Sequence, residues 1–328
     1  MKRRDLLALG AAPLLATPAV QAQAAAWPAR GPIKLVAQFP PGGLVDTVSR
    51  LIAPHLSQAL DGQTVIVENR AGAGGLVGTQ YVSNQPADGY TLLVSHASVH
   101  VYAAATRRTM PFDPVNDFAH IGMLVEAPMV LLVRPQSPYQ TLAQYMDAAR
   151  TRPVRYGSSG IGSANHLFGE LLKLEGKAPQ HDHVPYQGSA PAMQDLLGGQ
   201  IDSLLDPITT NVAQLKAGSL RALAVSTPLR LPALPNIPTF AELGYPRLTG
   251  SQWLGLSAPK GLPAPVVQRL AGLIPSVMAK PDVLSRLAEL QTLPRGTPVL
   301  GGEFVQLINS QIDTWRAVAR TANVEVIA

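Results

Sequence analysis

Ile33-Lys34-Leu35-Val36-Ala37 runs straight into Phe39-Pro40-Pro41-Gly42-Gly43, and then into Val48, Leu51, Ile52, Leu56 and Leu60, spaced as one face of a helix that ends near Asp61-Gly62. An apolar strand, a glycine-rich turn and an amphipathic helix in immediate succession are half of a βαβ unit. The chain uses the junction again at Val154-Arg155-Tyr156, followed by Gly157-Ser158-Ser159-Gly160-Ile161-Gly162 and a helix from Ser163 to Glu175. Further strands read at 64–67, 91–94, 183–186, 201–205, 220–226 and 253–259. Further helices read at 74–84, 141–150, 190–197, 263–278, 281–290 and 303–322. Such alternation predicts an α/β fold of right-handed crossovers on mainly parallel sheets flanked by helices. Two long extended segments, near 123–135 and 249–258, read as crossings between two lobes, with a cleft between them. The expected division is 27–127 plus 252–328 for lobe 1 and 128–251 for lobe 2.

The first residues stand apart from this pattern. Lys2, Arg3 and Arg4 precede an apolar stretch from Leu6 to Val20, interrupted by Pro13 and Pro18, and Ala22-Gln23-Ala24 offers a small-x-small cleavage site. The stretch is too short to span a bilayer and reads as a signal peptide over 1–24, of the Sec or the twin-arginine kind. A periplasmic location follows as an expectation. The chain contains no cysteine, so disulfides, thiolate nucleophiles and zinc-thiolate sites are excluded. The formal net charge is +5, and lysine and arginine gather no further than pairs such as Arg107-Arg108, which is no nucleic-acid footprint.

The junctions are the candidate site. In open parallel sheets ligands bind at the carboxyl ends of strands, where glycine lets the backbone approach and a helix start offers unpaired N–H groups with partial positive charge. Phe39, Pro40, Pro41, Gly42 and Gly43, with Leu44 beside them, form one such loop. Ser158, Ser159, Gly160, Gly162 and Ser163 form the second, which alternatively reads as a flexible turn with Ser163 as the helix cap. Facing each other, the two loops would hold a small organic anion by peptide amides. His96 and Ser98 lie just past a strand end and are candidate ligand contacts. Asp206 also follows a strand; it either accepts from a ligand amine or hydroxyl or caps the helix at Thr209.

Other chemistries find less support. Gly72-Ala73-Gly74-Gly75-Leu76-Val77-Gly78 follows a strand but lacks the third glycine of a dinucleotide fingerprint, and Ser95 and His96 stand where its acidic residue belongs. Gly157-Ser158-Ser159-Gly160-Ile161 fails the nucleophile-elbow pattern at its last position. His96 with His100, and His181 with His183, have metal-like spacing without accompanying carboxylates. No enzyme activity, cofactor or metal is expected.

The segments "FPPGGLVDTVSRLIA", "VIVENRAGAGG", "ADGYTLLV", "PFDPVNDF", "GSSGIGSANHLFGELL", "HVPYQGSAPAMQDLLGGQID", "LRALAVST", "LPNIPTFAELG" and "WLGLSAP" occur in this order over nearly the whole mature chain. Together they resemble the Bug-type periplasmic substrate-binding proteins of tripartite tricarboxylate transporters. The resemblance implies a two-lobe periplasmic-binding-protein fold, a type II-like Venus flytrap, that closes on a small carboxylate and delivers it to a membrane permease. It also implies that Tyr186 and Asp206 lie near the ligand, with the two loops as its grips. A monomer is expected, and a signalling partner in place of the permease is the alternative. Leu44 and Val45 replace the small hydroxyl residues frequent in the family, and Gln187 replaces a basic one. These departures point away from a highly charged tricarboxylate and toward a mono- or dicarboxylate, aromatic acids included.

Overall fold

The computed structural model describes residues 27–292 and 297–324, so the signal segment expected at 1–24 lies outside the described residues. In chain order the first half comprises β1 (Ile33–Ala37), α1 (Leu44–Ala59), β2 (Val65–Asn69), α2 (Leu76–Ser83) and β3 (Thr91–His96). A π-helical turn (Ser98–Ala103) then continues into α3 (Ala104–Thr106) and β4 (Phe118–Val133). Next come α4 (Leu142–Thr151), β5 (Val154–Ser158), α5 (Ala164–Glu175), β6 (His181–Pro185), α6 (Ser189–Gly198) and β7 (Ser203–Pro207). The chain closes with α7 (Val212–Lys216), β8 (Arg221–Val225), β9 (Ser251–Pro259), α8 (Ala264–Met278), α9 (Pro281–Glu289) and α10 (Gly301–Thr321).

Each half of the molecule carries a parallel sheet with one strand reversed. β1 pairs in parallel with β2 and β3, and β9 runs antiparallel between β3 and β4. In the other half β5 pairs in parallel with β6 and β7, while β4 lies antiparallel between β7 and β8. β4 belongs to both: residues 118–128 pair with β9, and residues 129–133 pair with β7 and β8. Every residue of β4 but two is buried, which explains the continuous apolar run that the sequence shows there. The reversal of β9 departs from the expected parallel order, because strand direction is set by the return of the chain and not by local pattern. The pairing of β4 with β9 shifts register near Gly122, where a Cβ would lie 2.5 Å from a Leu300 methyl carbon. A side chain there would have to displace the ends of Leu300 and Ile274.

The helices cover the sheets as their spacing requires. In α1, Val45, Val48, Ile52 and Leu56 are buried against a core that includes Leu35, Leu254, Leu256 and Leu270. Burying each such side chain contributes roughly 1.5–3 kcal/mol. α10 reaches across the molecule. Its Phe304, Ile308, Ile312 and Trp315 share one core with Tyr102, Leu131, Leu167 and Phe168. The Trp315 ring lies 4.6 Å from Phe168 on α5 and 5.4 Å from Tyr102 on the π-helical turn. This strap ties α5 in one half to the π-helical turn in the other.

Candidate functional site

The carboxyl ends of β1, β3, β5 and β7 open on one cleft of about 430 Å³, lined by Phe39, Ser98, Ser159 and Pro207 among others, a volume that suits a small organic acid. The two halves of the molecule supply its two walls.

One wall is the loop between β5 and α5. Ser159, Gly160, Ile161, Gly162, Ser163, Ala164 and Asn165 all line the cleft. The loop is built on internal hydrogen bonds. Ser163 caps α5, accepting from the His166 amide at 3.3 Å and donating to the Gly160 carbonyl at 2.6 Å. The Gly162 amide donates to His166 Nδ1 at 3.1 Å, and the Gly160 amide donates to Ser158 Oγ at 3.1 Å. Ser158 is itself fully buried, 2.6 Å from His183 Nε2, and supports the loop from behind without lining the cleft. The φ of Gly162 is +75° and that of Gly160 is +135°, left-handed conformations that side chains resist. His166 and His183 stack with ring centroids 3.7 Å apart. Burial pushes His166 down to about 4, and burial together with His166 and His181 pushes His183 down to about 3, so both imidazoles are neutral at pH 7. The amides of Ala164 and Asn165, in the first turn of α5, have no protein acceptor among the described residues.

The facing wall differs from the expected grip. Phe39 lines the cleft, but Pro40, Pro41, Gly42 and Gly43 are exposed and outside its lining, and Leu44 packs against the core below α1. The Gly42 amide is already bonded to Asp46 Oδ2 at 2.9 Å. Burial raises the Asp46 carboxyl, but Arg50, the Gly42 amide and Asn69 outweigh it and hold the group below the usual carboxylate range. The start of α1 therefore carries an anion of its own. Ala73, Gly74 and Leu76 stand beside Phe39 on this wall, followed by Ser98, Tyr102, Ala103, Thr106 and Arg107 of the π-helical turn and α3. The glycine-rich segment weighed above for dinucleotides is thus a third strand–glycine–helix junction of the cleft. That shared grammar was the available signal. His96 sits behind Phe39, its ring 5.4 Å away edge-on and its Nδ1 accepting from the Ser98 amide at 3.0 Å. It does not line the cleft; burial and His100 push it down to about 3.

Arg107 is the one formal charge among the lining residues, and it has no ion pair or side-chain hydrogen bond among the described residues. Nothing in the sequence distinguishes it from its neighbour Arg108. Its position depends on the π-helical turn, which aims the end of α3 at the cleft.

Asp206 is 1% exposed and does not line the cleft. Its carboxyl oxygens accept from Asn165 Nδ2 at 2.6 Å, Ser189 Oγ at 2.7 Å, Thr210 Oγ1 at 2.8 Å and Asn211 Nδ2 at 2.8 Å. Burial pushes its pKa up, and the four donors oppose that push. Asn165, Ser189 and Thr210 all line the cleft, so Asp206 organises cleft residues from behind. Tyr186 donates to Asp195 Oδ2 at 2.7 Å and is also outside the lining. No group of three or more metal-ligating side chains gathers among the described residues.

The model of the tripartite tricarboxylate transporter family receptor matches residues 48–324. The chain belongs to this family. Its relative BugT of Bordetella pertussis strain Tohama I is 34% identical over 299 residues, 90% of each chain. A solved R. palustris protein with adipate superposes with a TM-score of 0.80 at 33% identity, covering 92% of this chain and 100% of that one. MatC of Rhodopseudomonas palustris, solved with bound malate, superposes with a TM-score of 0.75 at 32% identity, covering 89% of this chain and 99% of that one. This receptor therefore shares the two-lobe binding-protein fold of its relatives, with the cleft where the strand ends of both halves meet.

Proposed function

We propose that this receptor captures a small mono- or dicarboxylate in the inter-lobe cleft and hands it to the membrane permease of a tripartite transporter. The carrying observation is the cleft wall at 159–165, where helix-start amides without protein acceptors, held by an internally bonded loop, meet Arg107 across about 430 Å³. Charge-assisted hydrogen bonds contribute roughly 1.5–3 kcal/mol each, so two or three of them supply a large share of the affinity and fix where the carboxylate sits. Relatives solved with adipate and with malate support a carboxylate ligand. The lobes divide at 127/128 and 251/252 in this reading, where β4 passes from one sheet to the other and β9 begins. Export through the 1–24 signal puts the mature chain, a monomer, in the periplasm. The receptor binds and releases its ligand unchanged.

A thermal-shift screen of mono-, di-, tricarboxylic and aromatic acids on natively purified protein tests the reading. Stabilisation by a small mono- or dicarboxylate, with scattering that shows a more compact particle, is expected. Stabilisation by no carboxylate at all would reject it.

A further inference from the structure

The hydrogens around Asp206 all run one way. Each carboxylate oxygen accepts two hydrogen bonds, one of them from an asparagine NH₂ group, which can only donate. An ionised carboxylate has no hydrogen to return. The Ser189 hydroxyl therefore commits its single hydrogen to Asp206 Oδ1. That of Thr210 goes to Asp206 Oδ2 or to the Pro207 carbonyl, 2.9 Å away. Asn165, with one amide hydrogen fixed on Asp206, turns its Oδ1 toward Ser159, whose hydroxyl donates to it at 3.0 Å. Ser159, Ser189 and Thr210 all line the cleft, and each has its hydrogen tied inside the protein. Toward the cleft they present oxygen lone pairs. The buried Asp206 carboxyl, on which all four donors converge, lies directly behind them.

A carboxylate oxygen placed against these three hydroxyls would meet lone pairs on both sides, which is repulsive. A hydroxyl or ammonium hydrogen would meet acceptors and a favourable field. We infer that the hydroxyl cluster before Asp206 is an acceptor subsite that selects acids carrying a hydroxyl or amino donor over the plain acid of the same skeleton. Asp206 acts as the positioning residue that fixes the direction of the cluster. The inference rests on the carboxylate-receptor reading: the carboxylate goes to the amides and Arg107, the donor to Ser159, Ser189 and Thr210.

Three matched sets test it by calorimetry on the wild-type protein: propionate, lactate and alanine; succinate, malate and aspartate; phenylacetate, mandelate and phenylglycine. In at least one set the hydroxy or amino member is expected to bind at least tenfold more tightly than the plain acid. Asp206→Asn keeps the shape but adds a donor, so one hydroxyl must turn its hydrogen to the cleft. The gap should shrink below threefold in that variant while the plain acid changes little. Should that variant fail to fold by circular dichroism, Ser189→Ala removes one acceptor and should narrow the gap alone. Equal binding within every set, or a gap that survives whichever variant is folded, overturns the inference and leaves the carboxylate receptor standing. Failure of every acid in all three sets overturns the inference, and failure of every carboxylate in the thermal-shift screen overturns both.

Discussion

Replacing Arg107 with methionine keeps an unbranched stem of similar character and removes the one formal charge from the cleft lining. Two unit charges about 4 Å apart attract by about 4 kcal/mol at an effective dielectric of about 20. Arg107 is half-buried, and stripping water from it and from the ligand offsets part of that attraction. A net contribution of about 2 kcal/mol remains, within the range for a hydrogen bond to a charged group, and corresponds to roughly a 30-fold change in Kd. The contribution depends on how many anionic groups the ligand brings. A monocarboxylate that places its single charge on the helix-start amides of 164 and 165 should lose less than about threefold, whereas a dicarboxylate should lose the full factor. Calorimetry of the wild type and Arg107→Met with one ligand of each kind, at about 0.05 M and about 0.5 M salt, separates the cases. Screening shortens the range of the interaction, so the wild-type preference for the dianion should decline with salt and the variant should show little salt dependence. Equal losses for both ligands, or no loss for either, would show that Arg107 does not hold the second anion.

Two further outcomes concern what holds the cleft wall in place. Gly169→Ala puts a Cβ 2.1 Å from a Tyr156 ring carbon; that ring is stacked on His181 at 4.3 Å and its hydroxyl is bonded to Glu170 at 2.7 Å, so it cannot yield. Overpacking of this kind costs about 1–3 kcal/mol against the about 1 kcal/mol that alanine gains in a helix, so Tm should fall, and a rise would refute the packing argument. Acid should weaken the fold through His166, His181 and His183, which burial pushes down to about 4, 3 and 3. Their folded pKa values lie below the unfolded value of about 6.5, so between about pH 4 and 6.5 the unfolded chain binds protons that the folded one does not. Stability then drops as pH falls through that window, by up to about 1.4 kcal/mol per pH unit for each group. A lower urea midpoint at pH 5 than at pH 7.5 is expected; equal midpoints would contradict the assignment.

The sequence carried the fold as far as local pattern can. The strand–glycine–helix junctions at 33–56 and 154–175 mark β1–α1 and β5–α5, because their periodicity and glycine are intrinsic to those segments. β4 was legible as one long apolar crossing for the same reason. The direction of β9, the π-helical turn at Ser98–Ala103 and the α10 strap were not, since each depends on partners distant in the chain. The site divides in the same way. Ser159, Gly160, Gly162 and Ser163 line the cleft where the sequence put them, on a loop that belongs wholly to one junction. Pro40 to Gly43 lie outside the lining because Asp46, one turn into α1, reaches back and occupies the Gly42 amide. Arg107 and the direction of the hydrogens around Asp206 became visible only once residues 98–107, 159–165, 189 and 206–211 stood side by side.

A crystal structure of the receptor with its natively retained acid is the most direct measurement of the central claim. The account predicts carboxylate oxygens within about 3 Å of the amides in the 159–165 wall, with Arg107 on the facing side. An acid bound away from that wall, or one whose carboxylate rests on the Ser189 and Thr210 hydroxyls, would contradict it.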